Sequence, residues 1–147
     1  MGLLSTMRSS ASALTAQRLR MDVISNNVAN INTTRTETGG TYHRLQTVFT
    51  PDRPNRTFLT SLRSALGLQE APRGVIVRKI QEDPTPTKKV LDPTHPDADA
   101  DGFVEYPNVD LVQEMTDMLG ATRAYEANVT VMNAAKSMAL KALDIGA

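Results

Sequence analysis

The 147-residue chain has no cysteine. That excludes a disulfide framework, thiol catalysis and cysteine-based zinc or iron–sulfur sites, and it is compatible with passage into an oxidising compartment. Tryptophan is also absent, and three Phe and three Tyr are the only aromatic residues. A compact core built on aromatic anchors is therefore not expected. Two histidines, His43 and His95, are too few for a multi-histidine metal site. Net charge is missing too: 16 Lys and Arg balance 16 Asp and Glu. This gives no reason to expect nucleic acid or an anionic membrane as partner, and it removes the long-range repulsion that keeps like subunits apart. No run approaches the ~18 apolar residues of a membrane-spanning helix. Residues 1–21 are apolar in stripes rather than in a block, so a secretory signal is not expected and any exit from the cytoplasm would use another route.

Proline is missing from the first fifty residues and the last forty; all eight prolines lie between Pro51 and Pro107. Because proline breaks helix interiors, the chain reads as helix, irregular insert, helix. The first 33 residues form a helix with an Asn-rich end, residues 34–108 an insert with a flexible loop at 51–74, and residues 109–147 a second helix. In the first part a three–four spacing runs through Leu4, Met7, Ala11, Leu14, Arg18, Met21, Ser25 and Val28, six of eight apolar. A helix from Leu3 to Val28 would be about 40 Å long. In the last part the same spacing runs through Leu111, Met115, Met118, Thr122, Tyr125, Val129, Met132, Lys136, Ala139 and Leu143, eight of ten apolar. A helix from Val109 to Ile145 would be about 55 Å long. Asp110, Glu114 and Asp117 at its start and Lys136 and Lys141 near its end complement the helix dipole. Asn108 is the candidate cap, with Pro107 blocking backward extension and Gly146 as the stop. The expected fold is mainly α: two long terminal helices paired as a coiled-coil-like hairpin, around a small β-containing, Pro-rich insert. Periodicity alone leaves open whether these seams close within one chain or are completed by neighbours.

Inside the insert, Thr41 to Phe49 is rich in β-formers, and Val75 to Ile80 alternates, with Lys88 to Leu91 as its expected partner strand across Glu82-Asp83-Pro84-Thr85-Pro86. Asp97-Ala98-Asp99-Ala100-Asp101-Gly102 opens like a calcium loop, but its twelfth position is Asn108, where a bidentate Glu is needed. The alternative is a turn fixed by Asp side chains on backbone amides, with Gly102 at positive φ. Arg8, Arg18 and Arg20 face a single acid, Asp22; the alternatives are a weak nucleic-acid or membrane stripe and, favoured here, a solvated face or a set of partners for acidic neighbours. Four asparagines lie within Asn26 to Asn32, among Val28 and Ile31, and suggest a helix ending in a specific polar network that includes Asn27 and Asn30. No nucleophile–base pair, phosphate-binding glycine loop or paired catalytic acid emerges, so neither an enzyme nor a cofactor is expected.

The run Ser25-Asn26-Asn27-Val28-Ala29-Asn30-Ile31-Asn32-Thr33 resembles the N-terminal signature of the rod, hook and hook-associated axial proteins of the bacterial flagellum. Most of that family continue with a Thr-Pro-Gly-Tyr stretch. Here Thr33-Thr34-Arg35-Thr36 and then Gly39-Gly40-Thr41-Tyr42 resemble the proximal-rod subgroup instead. Asp92-Pro93-Thr94-His95-Pro96 through Gly102, Tyr106-Pro107-Asn108-Val109, and Glu114-Met115 with Arg123-Ala124-Tyr125-Glu126-Ala127-Asn128 and Ala135-Lys136-Ser137-Met138 are similar to the same subgroup. The match is weakest from Pro51 to Ala71. The resemblance implies a structural subunit of the proximal rod, lying between the inner-membrane ring with its export base and the distal rod. It implies polymerisation with other rod proteins and copies of itself, with no nucleic acid and no membrane insertion. It further implies export through the flagellar type III apparatus without a cleaved signal, and a purely structural role for the Asp-Gly turn. The assembly residues expected on this reading are Leu4, Met7, Leu14, Met21, Asn27, Val28, Asn30, Leu111, Met115, Met118, Tyr125, Val129, Met132 and Leu143. The rival readings are a cytoplasmic coiled-coil adaptor or chaperone, and a calcium-binding module.

Overall fold

The computed structural model describes residues 3–37, 39–53, 58, 62, 65–66 and 73–145. Among the described residues two long helices, α1 (Leu3–Ala29) and α2 (Leu111–Ile145), flank four strands: β1 (Leu45–Pro51), β2 (Val75–Glu82), β3 (Lys88–Leu91) and β4 (Phe103–Tyr106). The expected helices are present, each within a residue or two of its expected bounds. Most of the expected loop 51–74, and the expected stop at Gly146, lie outside the described residues. No helix among the described residues is long and apolar enough to cross a membrane.

Strand pairing differs from the expectation. β2 pairs with β1, and β3 pairs antiparallel with β4 in the register Lys88↔Tyr106 to Leu91↔Phe103. The link between β2 and β3 does not close a hairpin because it is built as a different turn. Asp83 Oδ1 accepts hydrogen bonds from the Thr85 N–H (3.0 Å) and hydroxyl (2.5 Å). The same device recurs in Asp92-Pro93-Thr94, where Asp92 Oδ1 accepts from the Thr94 N–H (3.1 Å) and hydroxyl (2.6 Å). These Asp side chains stand in for a backbone carbonyl in closing each turn.

The chain divides into two compact units. The first comprises Met1–Arg18, Phe49–Arg78 and Arg123–Ala147; the second comprises Leu19–Val48 and Lys79–Thr122. Among the described residues of the first unit the buried side chains are small: Ser10, Ala16 and Ala135. There Ser12 Oγ, donating to Ser9 O (2.7 Å), accepts from the Val75 N–H (3.1 Å) and ties α1 to the start of β2. In the second unit Val23, Ile24, Val104, Val109 and Ala121 form the apolar core. Its Asp-rich turn is closed by Asp99 N–H to Phe103 O (2.9 Å) and Gly102 N–H to Asp99 O (2.8 Å). Gly102 has φ +77°, and a Cβ there would press on Pro93 Cγ at 3.2 Å, so only glycine fits the position comfortably. Thr34 reaches this turn by donating to Asp97 Oδ2 at 2.7 Å. Among the described residues no group of three or more His, Asp or Glu is placed to hold a metal ion.

Candidate assembly site

The most heavily constrained place in the second unit is where the Asn-rich end of α1 meets the start of α2. α1 stops because side chains take over its carbonyls. Asn30 donates from its N–H to Asn26 O (3.1 Å) and Asn27 O (3.2 Å), and its Nδ2 also reaches Asn26 O (2.9 Å). Thr33 then bonds back to Asn30 through its hydroxyl (3.1 Å to Oδ1) and its N–H (3.0 Å to O). This tightened last turn satisfies groups that a helix end leaves open. The Thr33–Tyr42 segment reverses direction through Thr36, which bonds Gly39 and Gly40, and Tyr42 N–H returns to Thr33 O (3.3 Å). The reversal delivers Tyr42, Arg44 and Leu45 to the side of α1.

Asn27 receives them. Its side chain is 1% exposed. Oδ1 accepts from the Leu45 N–H (2.9 Å) and the Tyr42 hydroxyl (2.9 Å); Nδ2 donates to Leu45 O (2.9 Å) and Glu114 Oε2 (3.1 Å). The amide thus pairs with Leu45 as a neighbouring strand would, with every group satisfied. Neither Asp nor Leu, the near isosteres, offers both a donor and an acceptor at that point.

Glu114 is fully buried, and its charge is matched by Arg44, whose Nε donates to Oε1 at 2.6 Å. Arg44 also reaches Asp83 Oδ2 (3.3 Å) and Asp117 Oδ2 (3.2 Å), and Arg20 donates to Asp117 Oδ1 (2.9 Å). Gln46 Nε2 shares Asp83 Oδ2. Burial opposes the charge on Arg44, but the hydrogen bond and charge of Glu114, then Asp83 and Asp117, outweigh it and hold its pKa above the ordinary arginine value. Burial, with the nearby Glu114 charge, raises the Tyr42 phenol pKa, so it remains a neutral donor. Thr85, through its hydroxyl and N–H, and then Arg44 keep Asp83 below the usual carboxylate range.

Asn108 does not cap α2. Asp110 does, accepting from Val112 N–H (2.9 Å) and Gln113 N–H (3.3 Å), since the cap must directly precede the first helical residue, Leu111. Asn108 instead accepts from Arg44 N–H (2.8 Å) and donates to Thr85 O (2.9 Å), steadying the segment that carries Arg44.

The remaining expected assembly residues fall in distinct places. Met7, Leu14, Met21, Val28 and Asn30 on α1 are half-buried, as are Met118, Tyr125, Val129 and Met132 on α2. Leu4, Leu111, Met115 and Leu143 are exposed, at 82%, 45%, 63% and 70%. The inward line of α2 passes through Glu114, Met118, Ala121, Tyr125, Asn128, Met132 and Ala135. It shares Met118, Tyr125 and Met132 with the stripe read from spacing and elsewhere lies one residue earlier. Spacing did not single out Arg44, Asp83 or Tyr42. The one available signal was three acids at the head of α2 against unpaired arginines earlier in the chain.

Two family descriptions match the helical ends of this arrangement. "Flagella basal body rod protein" covers residues 7–35, and "Flagellar basal body rod FlgEFG protein C-terminal" covers residues 100–145. The flagellar basal-body rod protein FlgC of Borreliella burgdorferi is 47% identical, over 99% of this chain and 98% of its own. The FlgC of Bacillus subtilis is 50% identical over 93% of each chain. That of Salmonella typhimurium is 39% identical over 99% of each. The chain belongs to the FlgC family. It is a structural rod subunit of the flagellar basal body, not an enzyme. Of the polar cluster around buried Asn27 and Glu114, Arg20, Asn27, Glu114 and Asp117 lie within the two matched spans of this FlgC-family chain, while Arg44 and Asp83 lie between them.

Proposed function

We propose that the chain is an axial subunit of the proximal rod, polymerising through α1 and α2 with copies of itself and with other rod proteins to form part of the drive shaft and its export channel. The observation that carries this reading is the apolar surface α2 presents outward: Leu111, Val112, Met115 and Leu119 near its start, Met138 and Leu143 near its end, each at least 45% exposed. Such faces on helices of this length call for a partner. On this reading the two helices also pair in a coiled-coil-like manner, and the insert between 34 and 108 sits outside the tube they line. The cluster at Asn27, Arg44 and Glu114 supports the same reading differently. It fixes the geometry of one helix end against the other, so that the outward faces are offered at a set angle. Late ordering, on arrival at the growing rod after type III export, fits a chain whose helices leave so much apolar surface uncovered.

The test is incorporation. Met115→Asp and Leu119→Asp each place a charge on the exposed outward face of α2. Each should leave expression intact, remove the protein from purified basal bodies and abolish swimming. Normal motility with both variants would end the packing model.

A further inference from the structure

Three turns among the described residues of the second unit share one plan. A residue is followed by proline and then by a residue whose N–H bonds back to the first side chain. In Asp83-Pro84-Thr85 and Asp92-Pro93-Thr94 the acceptor is a carboxylate oxygen, 3.0 Å and 3.1 Å from the Thr nitrogen. In His95-Pro96-Asp97 it is the imidazole: Asp97 N–H donates to His95 Nδ1 at 3.1 Å. A backbone N–H can only donate, so Nδ1 carries no proton and the ring that holds this turn is neutral. A carboxyl group can still accept after protonation, whereas both nitrogens of an imidazolium are donors. Of the three turns, this is the one a proton can undo. Its reach extends further, because Asp97 Oδ2 accepts the Thr34 hydroxyl at 2.7 Å. Thr34 O lies 3.3 Å from the Thr41 hydroxyl, which is shared with Glu105 O on β4 at 3.0 Å. These bonds dock the Thr33–Tyr42 reversal that brings Tyr42 and Leu45 to Asn27 and Arg44 to Glu114.

We propose that His95 is a proton-operated latch: its neutral ring holds Asp97 in reach of Thr34, and its protonation releases Asp97 and loosens the Thr33–Tyr42 reversal. The half-buried ring is within reach of solvent protons. Asp92 and Asp97 stand on its own turn, with Asp99 and Asp101 further along it. β4 presents Tyr106, whose ring meets the imidazole edge to face with centroids 6.3 Å apart. Lys89 on β3 is engaged with Glu105 at 3.0 Å and also faces Asp99. The carboxylates attract an imidazolium, while the Asp97 N–H opposes a proton on Nδ1. Thr94, through its hydroxyl and N–H, and after it the charge that His95 can carry, keep Asp92 below the usual carboxylate range. Asp92 therefore remains an anion while a histidine changes charge. In mild acid the Nδ1–H turns to a carboxylate of this turn, and the Asp97 N–H is left without its acceptor. The latch acts within one subunit and does not depend on polymerisation.

Amide exchange in the purified full chain, followed by NMR, tests it. With rates corrected for the intrinsic effect of pH, exchange at Asp97 should quicken about two- to tenfold between about pH 7.5 and about pH 5.5, as expected when one hydrogen bond is lost. The Tyr42 amide, bonded to Thr33 O at 3.3 Å, should quicken with it, and both should follow the ring signals of His95. Thr85 and Thr94, held by carboxylates, should keep their rates. His95→Asn, whose Oδ1 can take the place of Nδ1 without titrating, should protect Asp97 at both pH values. His95→Phe, which has no acceptor, should exchange at the acid rate at both; if it folds poorly, His95→Asn decides alone. Unchanged exchange at Asp97 or Tyr42 while the His95 ring titrates overturns the latch. So does a pH response that survives in His95→Asn, which would belong to the carboxylates. Equal quickening at Thr85 and Thr94 overturns it as well, since the whole unit would then be loosening.

Discussion

Replacing Arg44 with methionine isolates the energetics of the buried cluster. The substitution keeps most of the side chain's apolar volume and removes the only cation among the described contacts of Glu114, a carboxylate with 0% exposure. It also strips one partner each from Asp83 and Asp117, though Asp117 keeps Arg20 at 2.9 Å. Leaving a buried charge without its partner costs about 3–5 kcal/mol. Glu114 retains one hydrogen bond from Asn27 Nδ2 (3.1 Å). The lower end, about 3 kcal/mol, is therefore expected. For a chain of this size that corresponds to a fall in Tm of about 10 °C. Arg44→Met combined with Glu114→Leu removes both charges together and should regain most of the loss, since an apolar pair in place of a buried ion pair is often neutral or better. Urea unfolding followed by circular dichroism gives all four corners of the cycle. A loss below about 1 kcal/mol for Arg44→Met, the range of an exposed pair, would refute the reasoning. So would a double variant as unstable as the sum of the singles.

Thr85→Val should raise the Asp83 pKa toward the ordinary carboxylate value, read by NMR titration of its carboxyl carbon, because the Thr85 hydroxyl is the largest cause of its depression. A folded-state pKa held low contributes stability that is present above the unfolded value of about 4 and is lost as pH falls through the folded value, so the variant should lose part of the wild type's advantage above that range. An unmoved Asp83 titration would contradict this. Gly74→Ala sets a Cβ against Ser12 Oγ at a φ of +149°, where the added carbon has no room. It should cost about 1–3 kcal/mol, with Ser12→Ala in the same chain recovering only the steric part; urea midpoints equal to wild type would contradict it.

The helices were legible in the sequence because proline placement and three–four spacing are local signals. α1 and α2 begin and end close to where those signals put them. Strand partners were not legible. β2 alternates visibly, but β1 joins it through a stretch of more than twenty residues, while the Asp83-Pro84-Thr85 turn resembles a hairpin link without being one. The facing of α2 was half legible. Met118, Tyr125 and Met132 lie on both the apolar stripe and the inward line. A count of apolar residues favours Met115 over Glu114, yet Glu114 is the buried one, because Arg44 arrives from seventy residues earlier to neutralise it. The Asn-rich run announced a polar network; its partners Tyr42 and Leu45 depend on a chain reversal that spacing does not encode.

The most direct measurement uses the absence of cysteine from the chain. With Met115→Cys, a residue position 63% exposed in the single chain, the introduced thiol is the only one in the protein. Its modification by a maleimide is then read on the isolated peptide by mass spectrometry, once with purified monomer and once with intact basal bodies. If the outward face of α2 is an assembly surface, the thiol reacts in the monomer and is protected in the rod. Equal reaction in both states would contradict the claim that this helix face is covered by a neighbour.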